Sequence, residues 1–183
     1  MKSITVQWEA VQGIYSAFGG RLLINQMLTD SGYTYDNGVF GLSGCNTGGD
    51  GVQVFPDVLA LHDLSHWLVS KPENKNLPNF GIGPSGAFGE AKCVAIMPDH
   101  AIRHEEQKSA TVMTFVCAYI GMMPQKHISI LFRRNWRDEV VLTSLRELGL
   151  IVASDNYGDN VGFDLAPWIT EKLASYRSFF LAN

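Results

Sequence analysis

Charge is scarce in this chain. Asp, Glu, Lys and Arg make up 17% of its 183 residues, against about 25% in an ordinary globular protein. Much of the surface therefore falls to Ser, Thr, Asn and Gly. Positive charge is scarcer still: 14 Lys and Arg stand against 18 Asp and Glu, for a net charge of −4. That balance excludes a strong basic field of the kind that holds nucleic acid or an anionic membrane surface. Cysteine is limited to Cys45, Cys93 and Cys117, widely spaced and without a Cys-x-x-Cys pair. A disulfide scaffold is excluded, and a reduced, cytoplasmic setting is expected. No apolar run reaches the ~18 residues that a membrane-spanning helix requires. The opening "MKSITVQWEAVQ" is too polar for a signal peptide. Internal repeats and low-complexity tracts are also missing. What is plentiful is apolar side chain, at 46%, enough for a real core.

Hydrophobic spacing predicts a mixed order of elements. An amphipathic helix is expected over Ile4–Phe18, where Val6, Ala10, Ile14 and Ala17 recur at helical spacing. "GGRLLINQML" reads as strand or helix. Thr29–Asp50 is rich in Gly, Asn, Asp and Ser and reads as loops around short extended pieces. Among these is "YTYDNGVFGL", with a turn at Asn37-Gly38. Helix is expected over Asp57–Ser70, loop over Lys71–Gly89 and a short strand at "KCVAIM". The longest helix runs from about Asp99 to Met122, ended by Gly121 and Pro124. The tail reads helix (Arg134–Leu148), strand ("LIVAS"), turn ("DNYGDN"), strand ("VGFDL"), helix (Pro167–Leu181). These patterns give an α+β chain with two parts, 1–123 and a C-terminal α+β extension over 124–183 packed on it.

The segment "LALHDLSHWLVS" carries the chemistry. On a helix, Leu61, Leu64, Trp67 and Leu68 fall on one side, and His62 and His66 fall nearly opposite, flanked by Val58, Leu59 and Val69. Spacing of i, i+4 brings two side chains within about 5–6 Å at Cβ, so both imidazoles reach one metal ion. Buried imidazoles without partners are costly, and a shared cation satisfies both. Two well-packed core or cleft histidines are the competing reading. With Asp63 the motif is H-D-x-x-H, one methylene short of the H-E-x-x-H zincin signature.

Such a site needs a third ligand. In "RHEEQKSATVMTFVCAYIGMM", Glu105 heads the stripe Glu105, Ser109, Val112, Val116, Tyr119, and is the expected carboxylate. Glu106 falls about 100° away, beside Ala110 and Met113. For both glutamates the competing reading is a charge favouring a helix N-terminus. His104 is a further alternative ligand. His100 and His104, a second i, i+4 pair, supply supporting partners or a rival site with Glu105.

These residues resemble the elongation factor P hydroxylase family. "ALHDLSHWLVS" resembles its "HE-x-x-HW" segment, "IYSAFGGRLL" its early helix and following turn, and "EEQKSATVMTFVCAYIGM" its later carboxylate-bearing helix. "VFPDVLALHDLSHW" and "NFGIG" are similar in layout to the family's approach to the histidine helix and its aromatic–glycine turn. The resemblance covers about 10–122. It implies a zincin-like core with a histidine-bearing helix and a small mixed sheet, followed here by a helix–hairpin–helix part. It also implies Fe or Zn bound by His62, His66 and Glu105, and hydroxylase-like oxidoreductase action on a protein or peptide substrate, such as a translation factor. Asp63 replaces the family's Glu. Shortening that carboxylate by a methylene moves it about 1.5 Å from where a peptidase base activates a metal-bound water. An oxygenase needs only open positions on a facial triad. A zinc hydrolase with Asp63 as general base is the alternative, and a non-catalytic interaction protein retaining the scaffold is the third.

The remaining motifs have plainer readings. "GLSGCNTGGDG" lacks the Lys of a phosphate-binding P-loop and reads as a loop. Phe80 and Phe88, in the segment linking the proposed ligand helices, read as packing, and Cys93 and Cys117 as small core residues. "LFRRNWRDE", the sole basic cluster, reads as a solvated helix start.

Overall fold

A computed structural model of the protein describes residues 4–24, 35–36, 39–42, 56–75, 78–82, 95–121, 138–154 and 162–182. Helix α1 spans Ile4–Ala17, α2 Pro56–Val69, α3 Asp99–Ile120, α4 Glu139–Glu147 and α5 Pro167–Leu181. Strands β1 (Arg21–Ile24), β2 (Tyr35–Asp36) and β3 (Val39–Leu42) form one sheet in the order β1-β3-β2. β1 runs parallel to β3, and β2 antiparallel to it. Strands β4 (Ile151–Ser154) and β5 (Gly162–Leu165) form a separate antiparallel pair with Ile151 opposite Leu165. The chain is thus helix-rich α+β.

Local chemistry fixes several boundaries. α1 ends in a Schellman arrangement: Gly20 N–H bonds the Tyr15 carbonyl, Gly19 N–H bonds the Ser16 carbonyl, and Gly19 takes φ +79°. The Asp138 carboxylate caps α4 by accepting from the N–H groups of Val140 (2.9 Å) and Val141 (3.3 Å). Gly121, with φ +83°, closes α3. The helix expected from Arg134 is seen from this cap onward; 134–137 lie outside the described residues. So do Cys45, Phe88, Cys93, the Asn37-Gly38 turn, the "DNYGDN" turn, most of the Gly-rich loop and the expected boundary near Pro124. Of "KCVAIM", Ala95–Met97 is described and forms no strand.

One apolar core joins these elements. Val11 and Ile14 of α1, Leu61 and Leu64 of α2, Val112, Met113 and Val116 of α3, Leu145 of α4, and Ile169 and Leu173 of α5 are buried in it. Cys117 is buried there too. α2 packs most extensively on α3, and α4 and α5 also pack on α3. The α2–α3 pairing positions the candidate site. Among the described residues, no helix is long and apolar enough to cross a membrane.

Candidate metal centre

α2 carries His62 and His66 one turn apart, and their rings meet edge to face with centroids 4.6 Å apart. Both imidazoles turn toward α3. There the three ligand-type atoms converge: His66 Nε2 lies 3.0 Å from His62 Nε2 and 3.0 Å from Glu106 Oε2, and His62 Nε2 lies 3.3 Å from that same oxygen. Among the described residues this is the His/Cys/Asp/Glu cluster that could hold a metal ion. The three separations fit one cation. Ligands about 2.0–2.1 Å from a tetrahedral ion stand roughly 3.3–3.4 Å apart, and those on an octahedral face at about 2.1–2.2 Å stand roughly 3.0–3.1 Å apart. The observed edges fall at and between these values.

Burial is graded across the cluster. The side chain of His66 is 6% exposed, that of His62 21% and that of Glu106 46%. One side therefore opens to solvent, as in metal sites that keep a position for water or substrate. Burial opposes the charge on Glu106, but hydrogen bonds from His62 and His66, with their positive charge, outweigh it. Together they hold the carboxyl well below the usual carboxylate range.

Two further side chains fix the His66 ring. Its Nδ1 lies 2.8 Å from Ser109 Oγ, three residues beyond Glu106 on α3. The tautomer that donates Nδ1–H to this hydroxyl leaves the Nε2 lone pair facing the cluster. Phe80 stacks on the ring at 5.6 Å between centroids and 16° between planes. Phe80 has φ +55°, followed by Gly81 at +74°. A bulky side chain at positive φ is strained, and here that conformation sets an aromatic ring against a candidate ligand. The sequence reads Phe80 as packing and Ser109 as a stripe residue; the structure sets both against the His66 ring. Spacing of i, i+3 from Glu106 was the available signal for Ser109.

Glu105, the expected third ligand, is not brought to the histidines. The correction is Glu106, the neighbouring alternative. Glu105 is buried and pairs with Lys108, itself buried one turn along α3. Ser109 of the stripe reaches His66, but Glu105 at its head turns to Lys108, and Glu106, about 100° around the helix, reaches both histidines. His104 is likewise not a ligand: its Nε2 lies 3.1 Å from Ser144 Oγ and ties α3 to α4. His100 is exposed. The rival site of His100, His104 and Glu105 does not assemble.

Asp63 is partly buried beside the cluster. Burial raises its pKa, the His62 and His66 charges lower it, and Glu106 raises it again; the net direction is up. It lies close enough to the fully buried Tyr15 that its charge, after burial itself, raises the phenol's pKa. Comparison with family models, curated proteins and solved structures gives no match.

Proposed function

We propose that the chain is a metal-dependent enzyme whose centre is His62, His66 and Glu106 on a zincin-like core. By its resemblance to the elongation factor P hydroxylase family, it modifies a side chain of a protein or peptide substrate. The observation that carries this reading is the convergence of two imidazole nitrogens and a carboxylate oxygen within 3.0–3.3 Å, open on one side. Two histidines and one carboxylate with open positions suit oxygen-dependent iron chemistry and equally suit zinc hydrolysis. Bound there, iron supplies oxidation of the substrate side chain, whereas zinc supplies polarisation of a scissile carbonyl.

The chain's own residues supply the frame. Ser109 and Phe80 hold the His66 ring, the α2 turn fixes His62 beside it, and Glu106 stands at the solvent edge where a substrate side chain enters. Asp63, with its carboxyl raised by burial, is the candidate to exchange a proton. That feature favours the second reading, a zinc hydrolase with Asp63 as general base. Elemental analysis of protein purified without added ions tests the centre: about one iron or zinc per chain is expected, and its loss is expected in His62→Ala and Glu106→Gln. Oxygen-dependent turnover then separates hydroxylase from hydrolase. A metal-free native protein that takes up neither ion would leave the interaction-protein reading.

A further inference from the structure

Among the described residues, Phe80 is the sole residue other than glycine at positive φ, and Gly81 continues the left-handed bend at +74°. A bulky residue keeps such a conformation only where its surroundings fix it, and such residues gather at ligand clamps and switches. Phe80 is 2% exposed, and its ring lies on His66 with the planes 16° apart. Centroids 5.6 Å apart make this an offset stack. The backbone of the same turn, Pro78–Gly81, is tied to a different segment: Ile96 N–H donates to the Gly81 carbonyl at 2.9 Å. Ile96 stands two positions before Pro98, the N-cap of α3. One short turn thus joins a ring on α2 to the chain entering the helix that carries Glu106 and Ser109.

Strain and stack respond differently to a cation. The backbone strain at Phe80 is the same whether or not the centre is loaded. The stack is not. A divalent ion is the largest local charge at such a site, and on Nε2 it draws electron density from the imidazole. His66 then turns a more positive ring to the face of Phe80. The separation is within the ~6 Å over which positive charge and an aromatic face attract. The loaded centre therefore holds the strained turn more firmly than the metal-free one. A ligand shifts a conformational balance by this kind of difference alone.

We propose that Phe80 is a positioning residue through which the metal centre controls the turn at Pro78–Gly81. Loading the centre locks the turn, and an opened turn weakens the hold on the metal. The proposal rests on His62, His66 and Glu106 forming that centre. The coupling is reciprocal: the factor by which the closed turn favours the cation is the factor by which the cation favours the closed turn.

The Ile96 amide reports the turn directly, because its hydrogen bond breaks when Gly81 moves away. The test follows its hydrogen exchange by NMR in the full chain, with and without zinc. Zinc should slow it about 2–30-fold, the span of cation–π contacts from exposed to desolvated. The Gly149 amide, bonded to the Arg146 carbonyl at the end of α4, should not respond. Phe80→Leu keeps the bulk and loses the aromatic face. There the zinc Kd should rise by a similar factor, and the zinc-dependent slowing should vanish. Phe80→Tyr keeps the face and should keep the slowing. Gly81→Ala strains the turn but leaves the ring, so Ile96 should exchange faster in the metal-free variant while zinc still slows it. A ring that merely packs would leave the response to zinc the same in every variant. If Phe80→Leu does not fold, the native chain, Phe80→Tyr and Gly81→Ala carry the comparison. Zinc uptake with Ile96 exchange unchanged, equal slowing at Gly149, or an undiminished response in Phe80→Leu overturns the coupling and leaves the centre standing. A native chain that takes up no zinc, or a His62→Ala variant that binds it undiminished, removes the centre and the coupling with it.

Discussion

Exchanging the two adjacent glutamates for glutamine separates the roles assigned to them. In Glu106→Gln a charged ligand becomes a neutral one. Structural zinc sites with four ligands bind with about 10–16 kcal/mol, or roughly 2.5–4 kcal/mol per ligand, so the metal Kd should rise about 10²–10³-fold. The fold should barely notice, because the side chain is 46% exposed and exposed pairs contribute about 1 kcal/mol or less. In Glu105→Gln the expectation reverses. Lys108 is 7% exposed and its partner 11%, and removing one member of a buried pair costs about 3–5 kcal/mol. Glutamine keeps an acceptor, so the low end, about 3 kcal/mol, applies. For a chain of this size that lowers Tm by about 6–12 °C, while metal affinity stays within a few-fold. Isothermal titration with zinc or anaerobic iron, paired with thermal melts, reads both quantities. If Glu105→Gln abolishes metal binding and Glu106→Gln preserves it, the assignment of the third ligand is refuted.

Other expectations follow from the same geometry. Ser109→Ala should weaken metal binding about 10–100-fold, the usual consequence of losing a ligand's orienting partner, with titration as the readout. Metal at about 100 times its Kd should stabilise the protein by about 2.7 kcal/mol, raising Tm by roughly 5–10 °C, and a chelator should reverse it. The pH dependence of the metal-free protein carries two opposite signs. Glu106 has its pKa lowered from 4.5, so its contribution is present above that pH and fades as pH falls; Glu106→Gln should flatten the acid limb of a stability curve. Asp63 has its pKa raised from 3.8, so its contribution is present below that pH and is lost as pH rises. Asp63→Asn should therefore raise Tm at pH 7 and not at pH 3, while lowering turnover if Asp63 exchanges a proton. Gly121→Ala should lower Tm by several degrees, because a side chain at φ +83° is strained and its Cβ meets Leu181.

The ends of α3 and α5 were legible because Gly121 stops the first and Pro167 opens the second, whereas the Asp138 cap of α4 was passed over for a start at Arg134. His62 and His66 were legible because helical spacing is local. The choice between Glu105 and Glu106 was not. It depends on the rotation of α3 against α2, set by packing along the whole pair, and the head of the stripe, Glu105, pairs with Lys108 instead. A buried lysine i, i+3 from Glu105 was visible in the sequence, but its burial was not. The order β1-β3-β2 was hidden for the same reason: β1 skips its neighbour in sequence to pair with β3, and no local pattern encodes that.

His66 and Glu106 lie 40 positions apart along the chain. Any fragment that folds α2 offers an ion the two imidazoles, but the carboxylate arrives only once the intervening loop has closed, at an entropic cost of about 3 kcal/mol. A fragment with α2 alone would thus offer an ion two teeth, and the native chain three. An ion that prefers the latter acts as a latch, favouring the folded conformation and slowing the escape from it.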